Sequence, residues 1–291
     1  MTDDTGITGI TGVGSDPLTP LGSFLLPDGF ARPGAAALLQ EARLPFEAAR
    51  HVVHAVTDRR TRRSRPYAGR GSERLSEPVV LVPGFMAGDG SLAAMSRSLR
   101  AQGWRTYRSD ITANVSCTLE AATRLESRLE AIVARRGSRV QLVGHSLGGM
   151  MARGVAGRRP DLVSGIVTMG SPMLAPGAHH VALSAGVGVL VRLSAAGVPG
   201  LMAADCVAGA CARQSFEECR APMPQGVGFT ALWSRRDGVV DWRACRDPEA
   251  VDVEVTTSHC GMAVDPTVLA EVTAALRRHR DAAEMPRLQI A

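Results

Sequence analysis

Lysine is missing from this chain: all 33 basic side chains among its 291 residues are arginine. Against 28 acidic residues they leave a formal charge of +5, and the missing lysine reads as the bias of a GC-rich coding sequence. The arginines are spread over many predicted helices, which describes a solvated face better than a built phosphate or carboxylate site. Aromatic residues are equally scarce, at 4% of the chain. A basic surface without interleaved aromatic rings lacks the stacking platforms of a nucleic-acid binder, so no nucleic-acid partner is expected. No apolar run is long enough to cross a bilayer. The best candidate, residues 181–204, is interrupted by Arg192, Pro199 and several glycines. Cys117, Cys206, Cys211, Cys219, Cys245 and Cys260 contain no C-x-x-C pair, so spacing gives no zinc pattern and no metal ligands are assigned. The opening residues, with Asp3 and Asp4, lack a basic start and an apolar core. A secretory signal is therefore not expected and the location is read as cytoplasmic; the six cysteines leave secretion as the alternative.

What is present describes a globular chain, with 45% hydrophobic residues and a mean hydropathy of +0.03. Residues 1–30, rich in Thr, Gly, Ser and Pro, predict a flexible N-terminal arm. Residues 31–75 predict helices followed by an arginine-rich connector. Leu38, Leu39 and Ala42 share a face, Pro45 restarts the turn, and Phe46, Ala49, Val52, Val53 and Val56 continue the spacing. His51 and His54 sit three apart on this helix, but without a third ligand they are assigned surface or packing roles. The connector at 59–74 has no apolar periodicity.

From residue 78 the rhythm is strand, helix, strand with short connections, which means a parallel, doubly wound α/β sheet. PVVLV at 78–82 reads as a fully buried strand and is followed by PGFMAGDG. Further strands are expected at 104–107, 139–143, 163–169, 228–233 and, as a half-buried edge, at 251–255. Leu92, Met95 and Leu99 mark one helix closed by Gly103; Leu119, Ala122, Leu125, Leu129, Ile132 and Val133 mark another closed by Gly137. Asp265-Pro266 caps a final helix, and residues 283–291 are expected as a tail. The core is thus placed at 76–172 and 226–282, with 173–225 inserted as a helical cap whose apolar inner face holds an acyl chain. An additional core layer without a ligand is the other reading of that insertion.

The stretch VQLVGHSLGGM at 140–150 organises the rest. An apolar strand runs into Gly144-His145-Ser146-Leu147-Gly148 and a helical pattern starts directly behind it. That is G-x-S-x-G in the strand-turn-helix context that exposes the serine hydroxyl. A serine needs a base and the base an orienting carboxylate. His259 alone among seven histidines lies in a loop between a sheet strand and the terminal helix. Asp237 follows the strand at 228–233, and Gly238 permits a turn back to the sheet edge; Asp241 is its rival, with Asp247 and Asp252 as further candidates.

PVVLVPGF, GHSLGG, WSRRDGVV and SHCGM together resemble the strand and oxyanion loop, the nucleophile elbow, the acid loop and the histidine loop of α/β-hydrolases, over residues 78–280. The resemblance is to lipase- and esterase-like members. It implies a helical cap on a mostly parallel sheet, Ser146 as nucleophile, His259 as base and then acid, Asp237 as orienting acid, and an oxyanion hole from the backbone amides of Phe85 and Leu147. Pro83 departs from the histidine that many members carry before the glycine. Met86, Leu174 and Leu190 are the expected substrate-pocket residues. A disulfide between Cys245 and Cys260 would tie the acid and histidine loops together at a gain of about 3 kcal/mol; in a reducing compartment both stay thiols. Cys206, Cys211 and Cys219 are placed to staple the cap.

The expected activity is hydrolysis of a small-molecule carboxylic ester through an acyl-enzyme, with no cofactor required. An acyltransferase or thioesterase using the same acyl-enzyme on an acyl thioester is the first alternative. A non-catalytic binding module on a hydrolase scaffold is the second.

Overall fold

The computed structural model describes residues 21–64 and 77–288. In chain order the elements are α1 (Leu44–Ser64), β1 (Pro78–Val82), α2 (Ala93–Ala101), β2 (Arg105–Arg108), α3 (Thr118–Arg136), β3 (Val140–His145), α4 (Leu147–Arg158) and β4 (Val163–Met169). Then follow α5 (Val181–Ala195), α6 (Asp205–Ala208), α7 (Ala210–Arg220), β5 (Gly228–Trp233), β6 (Val251–Glu254) and α8 (Pro266–Leu288).

The six strands form one sheet in the order β2-β1-β3-β4-β5-β6, and every neighbouring pair is parallel. Every residue of β1, β3 and β4 is buried, as required of parallel strands covered on both faces. Side chains alternate between two core layers. Val80, Val82, Leu142 and Ile166 pack with Leu125 and Leu129 of α3 and Met151 and Val155 of α4. Val79, Leu81, Val143 and Val167 pack on the other face with Met95 and Leu99 of α2 and Val268 and Val272 of α8. The chain leaves β1 for the β2 edge, then returns past β1 to β3. Loops leaving β1 and β3 therefore diverge around a crevice at the carboxyl ends of these strands, where open α/β sheets bind ligands. This architecture is the α/β-hydrolase fold.

Sequence and structure differ at the flanks. Residues 21–30 belong to no loose arm: the Gly22 amide donates to Val207 O at 3.0 Å, Leu25 O accepts from Gly177 at 2.6 Å, and Leu25 is buried. Residues 1–20 lie outside the described residues. The expected first helix is a 3-10 helix, Ala35–Arg43, and α1 starts only at Leu44. The apolar side chains assigned to a shared face here are not its buried side, since Phe46 is 67% and Val53 63% exposed. Polar anchors described below fix this segment instead. Of the connector, residues 59–64 continue α1, because arginine is a good helix former even without an apolar face; residues 65–76 lie outside the described set. The expected tail from 283 is helical as far as Leu288. Along the edge strand β6 burial rises from Val251, 53% exposed, through half-buried Val253 to buried Val255 just beyond its end.

Candidate active site

Ser146 is the single residue between β3 and α4, and its backbone sits at φ 53°, ψ −125°. A non-glycine residue in the left-handed half of the map is strained and persists only where its surroundings over-determine it. Here the Ser146 amide donates to Met169 O at 2.8 Å. The turn is so tight that a Cβ on Gly148 would stand 2.3 Å from Val82 O, and one on Gly144 would stand 2.4 Å from the Gly149 Cα. Both positions require glycine, which explains the spacing of the motif around the serine.

His259 follows β6 and opens the short 3-10 helix Cys260–Ala263. Its Nδ1 donates to Asp237 Oδ2 at 2.7 Å, and both side chains are buried. Asp237 Oδ1 accepts the amides of Val239 and Val240 at 2.9 and 2.8 Å, which aims the carboxylate at the imidazole. Burial alone would lower the His259 pKa; the Asp237 charge and hydrogen bond, joined by the charge of Glu41, outweigh it and hold the pKa above 6.5. The rival carboxylates are engaged elsewhere. Asp241 caps the turn Trp242–Cys245 through Arg243 and also accepts the Ala31 amide. Asp247 pairs with buried Arg153, and Asp252 with Trp233 and Arg246.

Gly170, directly after β4, lies under the pair at φ 57°. A Cβ there would stand 3.0 Å from His259 Nδ1 and 3.2 Å from Asp237 Oδ2. His145, next to the serine, is bonded through Nε2 to His259 O at 3.0 Å. Burial first, then the neighbouring His259, lower its pKa to about 4. His145 is thus neutral and donates this bond, coupling the elbow to the histidine loop.

Opposite the elbow, the loop after β1 is fixed from the side. Asn114 donates its side-chain amide to Pro83 O at 2.9 Å, and its backbone exchanges bonds with Met86 and Ala87. The Met86 and Ala87 amides are thereby spent on Asn114 O and Gly84 O. Leu147 is the first residue of α4, where an N–H has no intrahelical acceptor.

Two residues essential to this geometry carry no signal in the sequence. Glu41 Oε1 accepts the amides of Gly238 at 3.1 Å and His259 at 2.9 Å, and its Oε2 accepts Cys260 at 2.9 Å. Glu47, 4% exposed, accepts the Ser258 amide and hydroxyl at 2.9 and 2.6 Å. Both come from the segment that the pattern assigned to separate helices, 197 to 219 residues away in sequence. Neither sits in a motif that local spacing reveals.

Ser146 opens onto an apolar pocket of about 820 Å³ including its mouth. Phe85 and Leu147 flank the serine there, Met150 and Pro172 form the floor side, Leu183 and Val187 of α5 one wall, and Phe216 of α7 another. Leu21 and Leu25 of the N-terminal segment complete it. The expected lining residues Met86, Leu174 and Leu190 are not part of this lining. Met86 has φ 57° and turns outward, 61% exposed. Leu190 lies beyond Val187 on α5 and packs against Met202 and Val207. The Leu174 backbone is tied to Ala244 O at 3.0 Å. All six cysteines are unbridged. Cys245 is buried against Asp241 O whereas Cys260 is exposed, and Cys219 lies in the core with Met151 and Val155, so neither expected staple is formed. No helix of the described residues is long and apolar enough to cross a membrane.

A family model described as the alpha/beta hydrolase fold matches residues 134–194, the stretch that carries the elbow. A triacylglycerol lipase of Vibrio cholerae serotype O1 is 33% identical over 119 residues, covering 36% of this chain and 38% of that relative; the match thus spans less than half of the relative's length. Among solved structures, mature Bacillus licheniformis lipase BlEst2 superposes with a TM-score of 0.55 at 15% identity, covering 73% of this chain and 95% of the other. The metagenomic carboxyl esterase MGS0156 gives 0.54 at 15% identity, covering 73% and 78%. At such identities these two likenesses speak for the fold alone. Elbow, sheet order and sequence similarity converge on the α/β-hydrolase fold, with local sequence similarity to a triacylglycerol lipase around the serine.

Proposed function

We propose that this chain hydrolyses carboxylic esters of apolar acids through an acyl-enzyme formed on Ser146. The observation that carries the reading is the buried His259–Asp237 pair at 2.7 Å, held at the same sheet edge as a strained serine that opens onto an apolar pocket. With Nδ1–H committed to Asp237, the imidazole has Nε2 left as its proton acceptor. Ser146 Oγ attacks the ester carbonyl as its proton passes to His259. The resulting oxyanion is held by the backbone amides of Phe85 and Leu147, each such donor lowering the barrier by on the order of 3 kcal/mol. The imidazolium then protonates the leaving alcohol, and water, activated by the same base, releases the acid. The pocket walls favour an aliphatic acyl group, since most of the lining is apolar.

The test is hydrolysis of p-nitrophenyl esters of increasing acyl length, beside fluorophosphonate labelling and peptide mapping. Labelling at Ser146 with turnover, both lost in Ser146→Ala by about four orders of magnitude or more, supports the reading. Turnover that survives in Ser146→Ala overturns it. Labelling without hydrolysis, with acyl transfer to an added alcohol or amine, would replace water by another acceptor.

A further inference from the structure

Away from the serine, Cys117, Cys206 and Cys211 bring their three sulfurs within 4.8 Å of one another, with Cys117 and Cys211 at 3.3 Å. The residues come from three elements. Cys117 is the N-cap of α3, Cys206 lies in α6, and Cys211 is in the first turn of α7. Cys117 and Cys211 are 94 residues apart, so no C-x-x-C spacing announces the group.

The scaffold around the thiols is fixed independently of them. The Met202 amide donates to Val115 O at 2.9 Å, joining the loop before α3 to the loop before α6. Asp205 accepts the amides of Ala210 and Cys211 at 2.9 and 3.2 Å, which sets the first turn of α7. Three half-buried thiols are poor hydrogen-bonding partners for one another. Burial, then the neighbouring thiols, push the Cys211 pKa up, and burial does the same for Cys206. Without a cation three converging thiols gain little from one another. With one, each thiol releases its proton, and the negative charge of three thiolates faces the positive ends of α3 and α7.

We propose that these three cysteines form a trithiolate site for a thiophilic d10 cation, Zn2+ or Cu+, that clamps α6 and α7 to the start of α3. Sulfurs bound to such an ion at about 2.3 Å stand about 3.8–4.0 Å apart, which shifts of a few tenths of an ångström from the present positions achieve. Binding exchanges three S–H protons for three metal–sulfur bonds and involves no redox step. A Cys117–Cys211 disulfide would instead need about 2.05 Å between two sulfurs and an oxidant, and it would leave Cys206 unused. Cys206, Val207, Ala212 and Phe216 line the apolar pocket, so the clamp fixes one pocket wall.

Protein purified under reducing, chelator-free conditions is analysed for zinc and copper after gel filtration, and metal-free protein is titrated with Cd2+ while thiolate-to-metal charge-transfer absorbance is followed. About one equivalent of metal, or saturation of the Cd2+ signal near one equivalent, is expected. Cys117→Ser, Cys206→Ser and Cys211→Ser should each weaken retention at least about tenfold, whereas Cys260→Ser, at an exposed thiol, should not. Near-ultraviolet circular dichroism identifies any variant that fails to fold, and the wild-type Cd2+ titration stands regardless of the variants. No metal and no Cd2+ signal from the reduced wild type overturns the proposal. So does recovery of a linked Cys117–Cys211 peptide from protein purified with its thiols protected.

Discussion

The carboxylate of Glu41 accepts the backbone N–H of His259 at 2.9 Å, across 218 residues of sequence. The same side chain holds Gly238 and Cys260, so one carboxylate fixes both the acid loop and the histidine loop. Its bonds run to backbone amides, so on the proposed mechanism it is a positioning residue. Glu41→Ala is expected to lower kcat about 10–100-fold with KM changed less than about twofold. Glu41→Gln, which keeps an acceptor oxygen, should recover part of that loss. Because the Glu41 charge helps to raise the His259 pKa, both variants should also move the acidic limb of kcat/KM to lower pH. Steady-state kinetics across pH separates this from simple destabilisation, which would leave the limb in place.

On the proposed mechanism His259 serves as a base only when neutral. Its pKa lies above the ordinary 6.5, because Asp237 and Glu41 overcome the effect of burial. Activity should therefore fall with decreasing pH along a limb centred above 6.5. Replacing Asp237 by Asn should abolish most turnover, and any residual limb should lie lower. A parent limb centred well below the ordinary imidazole value would contradict the assignment of His259 as base.

The elbow was legible because its requirement is local: a strained serine between a buried strand and a helix forces glycine two residues away on both sides, and those glycines are written side by side with it. The pairing of Asp237 with His259 follows from their place after β5 and β6, since parallel strands bring all their carboxyl ends to one edge. Glu41 and Glu47 were not legible. Their partners are backbone amides, which leave no trace in residue type, and the 3-10 geometry of residues 35–43 breaks the spacing by which a helical face is recognised. Leu190 was not separable from Val187 in the sequence for a related reason: α5 is apolar on several faces, and although both pack in one cluster with Met202 and Val207, only Val187 reaches the pocket lining.

Two buried histidines make stability sensitive to acid. Burial is the main cause that lowers both His145 and His279 to about 4. A base whose folded pKa is depressed binds its proton more readily when unfolded. Its contribution to stability is thus complete above 6.5 and is lost as pH falls from there to about 4. Each shift corresponds to about 3 kcal/mol. Urea unfolding between neutral pH and about pH 4.5 should show a loss of several kcal/mol, and His279→Gln, which can still bond Thr230, should flatten the dependence. An unchanged slope in that variant would show that His279 is not responsible.

Gly170 tests how tightly the His259–Asp237 pair is packed. With φ at 57° and a would-be Cβ 3.0 Å from His259 Nδ1, alanine imposes left-handed backbone strain of about 1–2 kcal/mol and pushes against the imidazole and the Asp237 carboxylate. Gly170→Ala is expected to lower Tm by several degrees and kcat by at least about tenfold. Gly137, also left-handed at φ 67° but with open space at its Cβ position, is the control: Gly137→Ala should show the strain in Tm and leave kcat unchanged.

The pocket wall formed by α5 should set acyl length. Val187 faces the cavity one turn from Leu183, and both line it together with Ser146, whereas Val189 on another face of α5 is 53% exposed. Val187→Trp fills the space beyond the serine and should move the optimum of the p-nitrophenyl ester series to shorter acids, lowering kcat/KM for the longest good substrate by about 10–100-fold. Each methylene excluded from an apolar site forfeits about 0.8 kcal/mol, so two or three suffice for that loss. Acetate esters, which do not reach α5, should be hydrolysed at nearly the parent rate. The same substitution at exposed Val189 should leave the whole profile in place, and an equal response at both positions would mean that the acyl group does not lie along α5.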